Sequence, residues 1–295
     1  MQTDEIQITT GCNPSQRAAF EQNDKIIDYE TSKNLDYSDI ISLYKGLNVI
    51  SEFYDVMGAV TVTPIGICAV SLGKTLEEAV TNVMDSNPID FMSSTIILTN
   101  EVDSDLAKML KETHIVAAPK FTKNAADYFE MHDVCCVTIK TPLKDYKKYL
   151  SNEVVTTPFG TLTQTPNLNE LDKESFKVVT KIKPTVEQIE DAVFAWKIAK
   201  HIYSKAVVVA KDLKTAAISQ GLQSASVEYA LDYSCDSSKE AILASDSSIT
   251  LHDLNVAAQG RINLIILPSV SKEIVENADK LNISIITTGM TNFLY

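Results

Sequence analysis

Histidine and cysteine, the residue types best suited to chemistry, are few in this sequence. The cysteines are odd in number and share no metal-site spacing: Cys12, Cys68, Cys135, Cys136 and Cys235. Zinc sites and disulfide frameworks both rely on cysteines paired at recurring intervals. The pattern therefore predicts reduced thiols buried as small hydrophobes, and it predicts no metal site.

A histidine would be the natural general base near neutral pH. His114 precedes a predicted strand, His132 follows a predicted helix and His201 lies on another helix. Each position is more typical of a structural or exposed histidine than of a catalytic one. His252 is followed by Asp253, so it is the histidine that we single out for testing.

A polar segment near the N-terminus has strong turn chemistry. Gly11-Cys-Asn-Pro-Ser-Gln16 contains a glycine and an Asn-Pro pair, both of which favour a tight turn. On residue chemistry alone, the segment is interpreted as a connecting loop.

The elements that would position such residues are clearest after Pro184. Thr185 and Gln188 have the spacing of a capping box, which satisfies amide donors at the start of a helix. Apolar residues then recur at spacings of three and four and share one helix face: Ile189, Ala192, Val193, Trp196, Ala199 and Ile202. Residues 206–210 form a continuous apolar run, typical of a strand covered on both sides.

Strands and helices alternate along most of the chain. The predicted strands are 59–63, 95–98, 115–118, 135–139, 206–210, 262–267 and 283–287. The predicted helices are 35–54, 74–84, 104–111, 123–132, 185–202, 224–231, 253–259 and 272–281. This alternation predicts the α/β class, with a parallel or mixed sheet and helices on both faces.

The length of 295 residues favours two lobes over one compact unit. We predict a first α/β lobe with an N-terminal loop over 1–140 and a second α/β lobe over 185–295. Residues 141–184 change in character and predict an extended connector with short strands.

The formal charge of −13 argues against a nucleic-acid-binding surface, which needs a concentration of Lys and Arg. It does not exclude a phosphate-containing small molecule, because a few local cations or amide donors can outweigh the global field. No apolar run approaches the roughly 20 residues that span a bilayer, and the first residues are too polar for a signal peptide. The sequence predicts a cytoplasmic protein without membrane or nucleic-acid partners.

Several strings in register resemble one known family. Phe194-Ala-Trp-Lys-Ile-Ala-Lys200, continued by Ser204-Lys-Ala206 and the strand to Lys211, is similar to the family's Phe-x-Trp-Lys-x-Ala-Lys-x-x-x-Ser-Asn-Ala segment. The other strings are Gly11-x-Asn-Pro-x-Gln16, Leu72-Gly-Lys-Thr-Leu-Glu-Glu-Ala79, Val178-Val-Thr-Lys181, Ala244-Ser-Asp246 and Thr287-Thr-Gly-Met-x-x-Phe293. By these strings the chain resembles the AICAR transformylase (formyltransferase) domain of the AICAR transformylase/IMP cyclohydrolase family.

The resemblance implies a fold and an assembly. The family's transformylase domain has two cytidine-deaminase-like α/β lobes and works as a homodimer with its sites at the interface. The match begins within the first dozen residues, so we expect no cyclohydrolase domain and no cyclohydrolase activity.

The resemblance also implies a reaction, formyl transfer from 10-formyltetrahydrofolate to the amine of an aminoimidazole carboxamide ribotide. That amine is a poor nucleophile, so a base and a cationic group are required. The family uses a Lys-His pair assisted by the Asn of Ser-Asn-Ala. Thr63 and Pro64 stand at the Lys and His positions, and Lys205 stands at the Asn position. Neither Thr63 nor Pro64 can titrate near neutrality.

Some of the family's other site residues are present in this chain, and others are replaced. The resemblance implies ligand-binding roles for the kept polar residues Asn13, Gln16, Gly221, Ser224 and Asp246. The family's arginine at position 225 is Ala225, which removes a fork-shaped phosphate partner.

Lys205 has two interpretations. It could supply the cation lost at Thr63 from another direction, which makes it the candidate catalytic residue. Alternatively, it is a solvated lysine at a helix end, where a positive charge favours the helix dipole.

Two hypotheses follow, beside the plainer alternative of an α/β protein that binds an unrelated metabolite, since fold alone does not fix function. The first is a family member of purine metabolism with a degraded active site, which binds a nucleotide or folate-like ligand or a protein partner with little or no formyl transfer. The second is an active formyltransferase that uses 10-formyltetrahydrofolate, with Lys205, Ser224 and Asp246 as its retained or compensating groups.

Overall fold

A computed structural model describes residues 8, 10–13, 15–21, 26–171, 175–222 and 225–295. The strands are β1 (Tyr29–Thr31), β2 (Met57–Val62), β3 (Ile67–Gly73), β4 (Thr95–Leu98), β5 (Ile115–Ala118), β6 (Cys135–Ile139), β7 (Glu153–Thr157), β8 (Gly160–Gln164), β9 (Lys177–Val178), β10 (Val207–Lys211), β11 (Lys214–Ser219), β12 (Ile242–Ser245), β13 (Leu264–Leu267) and β14 (Ser284–Thr287). The helices are α1 (Tyr37–Ile50), α2 (Leu76–Ser86), α3 (Pro88–Phe91), α4 (Ser104–Met109), α5 (Lys123–Met131), α6 (Val186–Ala199), α7 (Ser226–Ser234), α8 (Leu251–Gln259) and α9 (Lys272–Leu281).

The chain divides into two compact units. Unit 1 comprises Met1–Gly66, Lys74–Glu77 and Ile89–Asn169. Unit 2 comprises Ile67–Gly73, Glu78–Pro88 and Glu170–Tyr295. The division into lobes at 1–140 and 185–295 with a connector at 141–184 stays a prediction.

Unit 1 is built on strands in the order β1-β6-β5-β4-β2. The three central strands β4, β5 and β6 run parallel, and β1 and β2 flank them antiparallel. Helix α1 packs on β2 and β4. Its N-terminus is fixed by a capping box between Asp36 and Asp39.

Unit 2 has strands in the order β3-β11-β10-β12-β13-β14-β9. Strands β12, β13 and β14 are parallel, and the other pairings are antiparallel. Val207 and Val209 join a buried apolar cluster with residues of α7, α8 and α9. Because side chains alternate along a strand, Val208 and Ala210 point to the opposite face, where α6 packs on β10 and β12. The predicted α/β class is confirmed.

The two halves of the chain repeat one order of elements. In the first half the order is α1, β2, β3, α2, then β4, α4, β5, α5 and β6, with the short α3 inserted before β4. In the second half it is α6, β10, β11, α7, then β12, α8, β13, α9 and β14. Each half has three parallel strands, and an antiparallel neighbour on each side of them.

The structure also contains strands that the sequence patterns did not predict. These are β1, β3, β11 and β12. Residues 141–184 contain a 3-10 segment at Leu143–Tyr149 and the hairpin of β7 and β8.

Candidate functional site

The loop between β2 and β3 carries Thr63 and Pro64 in unit 1. It is a closed turn, in which the Thr63 amide donates to the Gly66 carbonyl at 3.0 Å. Thr63 is half-buried and Pro64 is exposed. Neither side chain can act as a base or carry charge, so the chemistry of the loop depends on neighbouring residues.

Lys45 of α1 is the cation that reaches this loop. Its Nζ donates to the carbonyl of Pro64 at 2.7 Å and to that of Ile65 at 3.1 Å. Burial lowers the pKa of Lys45, and the proximity of Cys12 opposes that shift. No sequence pattern marks Lys45, because its contact with Pro64 spans 19 residues and depends on how α1 packs.

The segment around Asn13 and Gln16 forms the predicted turn. The Gln16 amide donates to the Asn13 carbonyl at 2.9 Å, and the Gly11 amide donates to the Gln16 carbonyl at 2.9 Å. The Asn13 side-chain amide also donates to Gln16 Oε1 at 2.9 Å. Both side chains are exposed, and their ligand-binding role stays a prediction.

Asp246 is the centre of a buried polar cluster in unit 2. It is 1% exposed and accepts the Ala206 amide at 3.0 Å, the Ser247 hydroxyl at 2.9 Å and the Ser204 hydroxyl. The backbone of Ser204 is tied in turn to Leu294. Three donors on one carboxylate fix the segment that precedes β10 in one conformation.

Lys205 belongs to the same cluster. Its Nζ lies 3.2 Å from Oδ2 of Asp253, and the two side chains are 14% and 2% exposed. Asp253 also closes the capping box of α8 with Thr250. The Lys205 carbonyl accepts the Ser226 hydroxyl at 3.2 Å. Asp246 thus binds Ser204 and Ala206, the residues on either side of Lys205, whereas the Lys205 side chain pairs with Asp253.

The interpretation of Lys205 as a solvated lysine at a helix end is wrong. Helix α6 ends at Ala199, six residues earlier, and the ammonium group is withdrawn from water against Asp253. The ammonium group of Lys205, paired with the buried carboxylate of Asp253, is part of the structure of the cluster. The catalytic assignment of Lys205 stays a prediction.

The remaining predicted ligand-binding residues lie between β11 and α7. Gly221 has a φ of +69°, and a Cβ there would meet no atom within 4 Å. Glycine is therefore favoured by backbone conformation, and not by crowding. Ser224 lies outside the described residues, and Ala225 caps α7 without a side-chain hydrogen bond.

Three of the histidines have side-chain contacts with residues outside these clusters. His252 Nε2 is 2.7 Å from Glu228 Oε1 at an exposed position, although Asp253 follows it in sequence. His114 Nε2 is 3.0 Å from Asp39 Oδ1, and His132 Nδ1 is 2.8 Å from the Tyr128 carbonyl. His201 lies just beyond the end of α6.

The cysteines divide by exposure. All are free thiols; Cys135 and Cys136 are buried and Cys68 is intermediate, but Cys12 and Cys235 are exposed. The prediction of buried thiols is therefore wrong for Cys12, in the Gly11–Gln16 turn, and for Cys235, which begins the 3-10 segment Cys235–Ser238. No cluster of three or more His, Cys, Asp or Glu side chains suited to a metal ion occurs among the described residues.

None of the helices within the described ranges combines the length and apolar character that crossing a lipid bilayer requires.

Two halves with the same order of elements, each built on three parallel strands with helices packed on them, define a protein of the α/β class. The chain belongs to the AICARFT/IMPCHase bienzyme family, whose family model matches residues 2–232. The resemblance to AICAR transformylase is thereby confirmed, and the family is one of purine biosynthesis.

Curated relatives agree with this assignment. The chain is 31% identical over 302 residues to the bifunctional purine biosynthesis protein PurH of Caldicellulosiruptor bescii, with 96% of this chain and 58% of the relative covered. It is 28% identical over 299 residues to PurH of Anoxybacillus flavithermus, with the same coverage. It is 30% identical over 305 residues to PurH of Fusobacterium nucleatum, covering 98% of this chain and 59% of the relative. The chain thus spans a little under three fifths of these relatives.

Proposed function

We propose that this chain is a transformylase-family protein of purine metabolism that binds a nucleotide or folate-like ligand, or a protein partner, with little or no formyl transfer. The observation that carries the proposal is the β2–β3 loop, where Thr63 and Pro64 stand at the positions of the family's Lys-His pair. The scaffold around that loop is intact, whereas the groups that would remove a proton there are absent from these two positions.

The reaction needs proton removal from a weakly nucleophilic amine. Thr63 does not ionise near neutrality and Pro64 has no side-chain acceptor. Lys205 is already paired with Asp253, so its charge is largely neutralised before any ligand arrives. A general base typically contributes a hundredfold or more, roughly 10²–10⁴, and a lost electrostatic donor a similar factor.

These residues do not fit formyl transfer from 10-formyltetrahydrofolate by the base-assisted route. Ligand binding needs no base, and the exposed side chains of Asn13 and Gln16 offer hydrogen-bonding groups.

The homodimer and the cytoplasmic location belong to the same proposal. The hairpin of β7 and β8 supports an interface in unit 1, because its apolar side chains face solvent. Val154, Val155 and Leu162 are 60%, 56% and 66% exposed, and Phe159 is fully exposed. An isolated two-stranded hairpin is only marginally stable in water, so contact with a second copy would stabilise it.

Calorimetric titration tests ligand retention. The ribotide substrate, its formylated product and reduced folates are each titrated into the protein. Saturable binding of at least one of these ligands supports the proposal. If none of them produces a heat of binding, only the protein partner remains of the proposed ligands. A folate-dependent turnover assay at high protein concentration is run in parallel, and product well above the enzyme-free rate would contradict the loss of transfer.

The alternative is an active formyltransferase with displaced catalytic groups, including Lys205, Ser224 and Asp246. The observation that favours it is the position of Asp246, whose carboxylate binds the residues on either side of Lys205. Turnover that disappears in Asp246→Asn while the fold is retained would establish this alternative.

A further inference from the structure

Unit 1 contains an apolar cavity that the family resemblance does not mark. Its volume is about 370 Å³, which is within the range of small-molecule sites. The described residues that line it all belong to unit 1. Asn13, Thr63 and Pro64 are not among them. The cavity is therefore a feature of one unit, separate from those positions.

One wall of the cavity is the sheet and a second wall is α1. Tyr29 of β1 pairs with Ile139 of β6, so both side chains point to the same face of the sheet. Gly46 allows close contact of α1 with this sheet, because a Cβ there would lie 2.5 Å from Ile97 Cδ1. The lining residues of α1 recur at spacings of three and four and share one side of the helix: Ile40, Leu43, Tyr44 and Leu47. Both walls are thus positioned by packing within the fold, whatever the cavity contains.

Tyrosines supply the polar groups of the cavity. Tyr146 and Tyr149 of the 3-10 segment Leu143–Tyr149 line it, as do Tyr29 and Tyr44. None of these four hydroxyl groups has a hydrogen-bond partner within the described part of the chain. Tyr146 is only 5% exposed, and burial raises its pKa. Because buried polar groups nearly always have a partner, the Tyr146 hydroxyl is open to one that occupies the cavity.

The charged residues that line the cavity are acidic. Glu21 is exposed, and Glu153 is half-buried and accepts a hydrogen bond from the Gln164 side chain. No lysine, arginine or histidine is among the described lining residues. Within a chain of net charge −13, these carboxylates repel phosphates and carboxylates. An uncharged occupant therefore fits the cavity better than a nucleotide or a folate does.

We propose that this cavity binds an uncharged, ring-containing small molecule that accepts a hydrogen bond from the Tyr146 hydroxyl. The aliphatic walls surround the apolar body of the ligand, and the hydroxyl selects a carbonyl oxygen or a ring nitrogen as acceptor. An apolar cavity of roughly 150 Å³ holds one benzene ring, so about 370 Å³ accommodates two fused rings. The site is distinct from that of the proposed function, which concerns anionic ligands.

The probe for the test is prodan, a neutral naphthalene ketone whose fluorescence shifts to the blue in apolar surroundings. It is titrated into the original protein, into Tyr146→Phe, which removes one hydroxyl and keeps the ring, and into Ile40→Trp, which fills the cavity from α1. Tyr128→Phe is the matched control, because Tyr128 is a half-buried tyrosine of the same unit that stacks on His132 and does not line the cavity.

The original protein should bind prodan saturably at one site. Binding should be about threefold to tenfold weaker in Tyr146→Phe, as expected for one lost hydrogen bond, and absent in Ile40→Trp. Tyr128→Phe should bind as the original protein does. A sulfonated naphthalene dye should bind more weakly than prodan, because the lining carboxylates repel it. Absence of saturable binding, equal affinity of Tyr146→Phe and the original protein, or equal affinity for the two dyes would overturn the proposal.

NMR locates the dye without depending on how a variant folds. Methyl resonances of Ile40, Leu43 and Val137 in the original protein should shift when prodan is added. Those of Val154 and Val155, in the exposed hairpin of β7 and β8, should not. Shifts confined to the hairpin would overturn the proposal, since they indicate adsorption to an apolar surface. The proposed function is tested with anionic ligands and this site with a neutral one, so each can fail while the other stands.

Discussion

The carboxylate of Asp253 is held out of water, and Lys205 balances its charge. Removing one member of a buried ion pair leaves the other uncompensated, which costs much more than the pair itself contributes. The free energy of unfolding therefore depends on Lys205, whether or not this lysine takes part in a reaction.

Lys205→Met should lower the free energy of unfolding by about 3 kcal/mol, measured by urea denaturation. Lys211→Met is the control, because Lys211 and Glu240 are 35% and 74% exposed and an exposed pair contributes less than about 1 kcal/mol. Equal effects of the two substitutions would contradict the structural role of Lys205.

Thiol reactivity provides a second test at this scale. Burial raises the pKa of Cys136 to about 12, with a further rise from Cys135 beside it. At pH 8 a disulfide reagent should label the exposed Cys12 and Cys235 quickly and Cys136 only after unfolding. Rapid labelling of Cys136 in the native protein would count against this burial.

The same raised pKa of Cys136 determines the sign of a pH effect. Between the ordinary thiol pKa of about 8.5 and the folded value, the unfolded chain loses the proton while the native protein keeps it. The contribution of Cys136 to stability is therefore complete below that window and falls as the pH rises through it. Between pH 8 and pH 10, the free energy of unfolding measured by urea denaturation should fall less in Cys136→Ala than in the original protein.

At the scale of elements, the close approach of α1 to the sheet predicts the effect of Gly46→Ala. Alanine favours a helix over glycine by about 1 kcal/mol, but overpacking a buried contact costs roughly 1–3 kcal/mol. We expect net destabilisation in urea denaturation.

The double substitution Gly46→Ala with Ile97→Val removes the Cδ1 atom nearest to the added methyl group. It should recover part of the lost stability, whereas Ile97→Val alone should be destabilising by about 0.5–1.5 kcal/mol. Purely additive effects in this double-mutant cycle would show that the two groups do not collide.

The sequence predicts those elements whose signal is local. The capping box of Thr185 and Gln188 is confirmed, as are strands β4, β5 and β6, which are continuous apolar runs. Strand β11 was missed because its inward residues include the small polar Thr215 and Ser219, so apolar alternation is weak. Burial of these residues is decided by neighbouring strands, which the local pattern does not encode.

Local sequence patterns are limited in the same way for the candidate site. Motifs in register identified Thr63, Pro64 and Lys205 as positions of interest. The partners that define their chemistry are Lys45, 19 residues from Pro64, and Asp253, 48 residues from Lys205. Such pairs arise from packing of separate elements, and spacing in the sequence carries no sign of them.

At the scale of the whole molecule, the exposed hairpin of β7 and β8 predicts how the chain associates. Phe159→Glu together with Leu162→Ser should shift the proposed homodimer toward monomer in sedimentation velocity runs, because charge and polarity replace apolar contact area. Met131→Ser is the control, since Met131 is also strongly exposed, at 81%, but lies outside the hairpin. An unchanged dimer in the hairpin variant would place the interface elsewhere.

The path of the chain between its two units has a practical consequence. Strand β3 and most of α2 belong to unit 2, although residues of unit 1 precede and follow them. A protease that cuts after Asn169 therefore produces an N-terminal fragment that still contributes a strand to the other unit. The nicked protein should elute from a sizing column as one species until denaturant is added, and neither unit can be prepared by a single truncation.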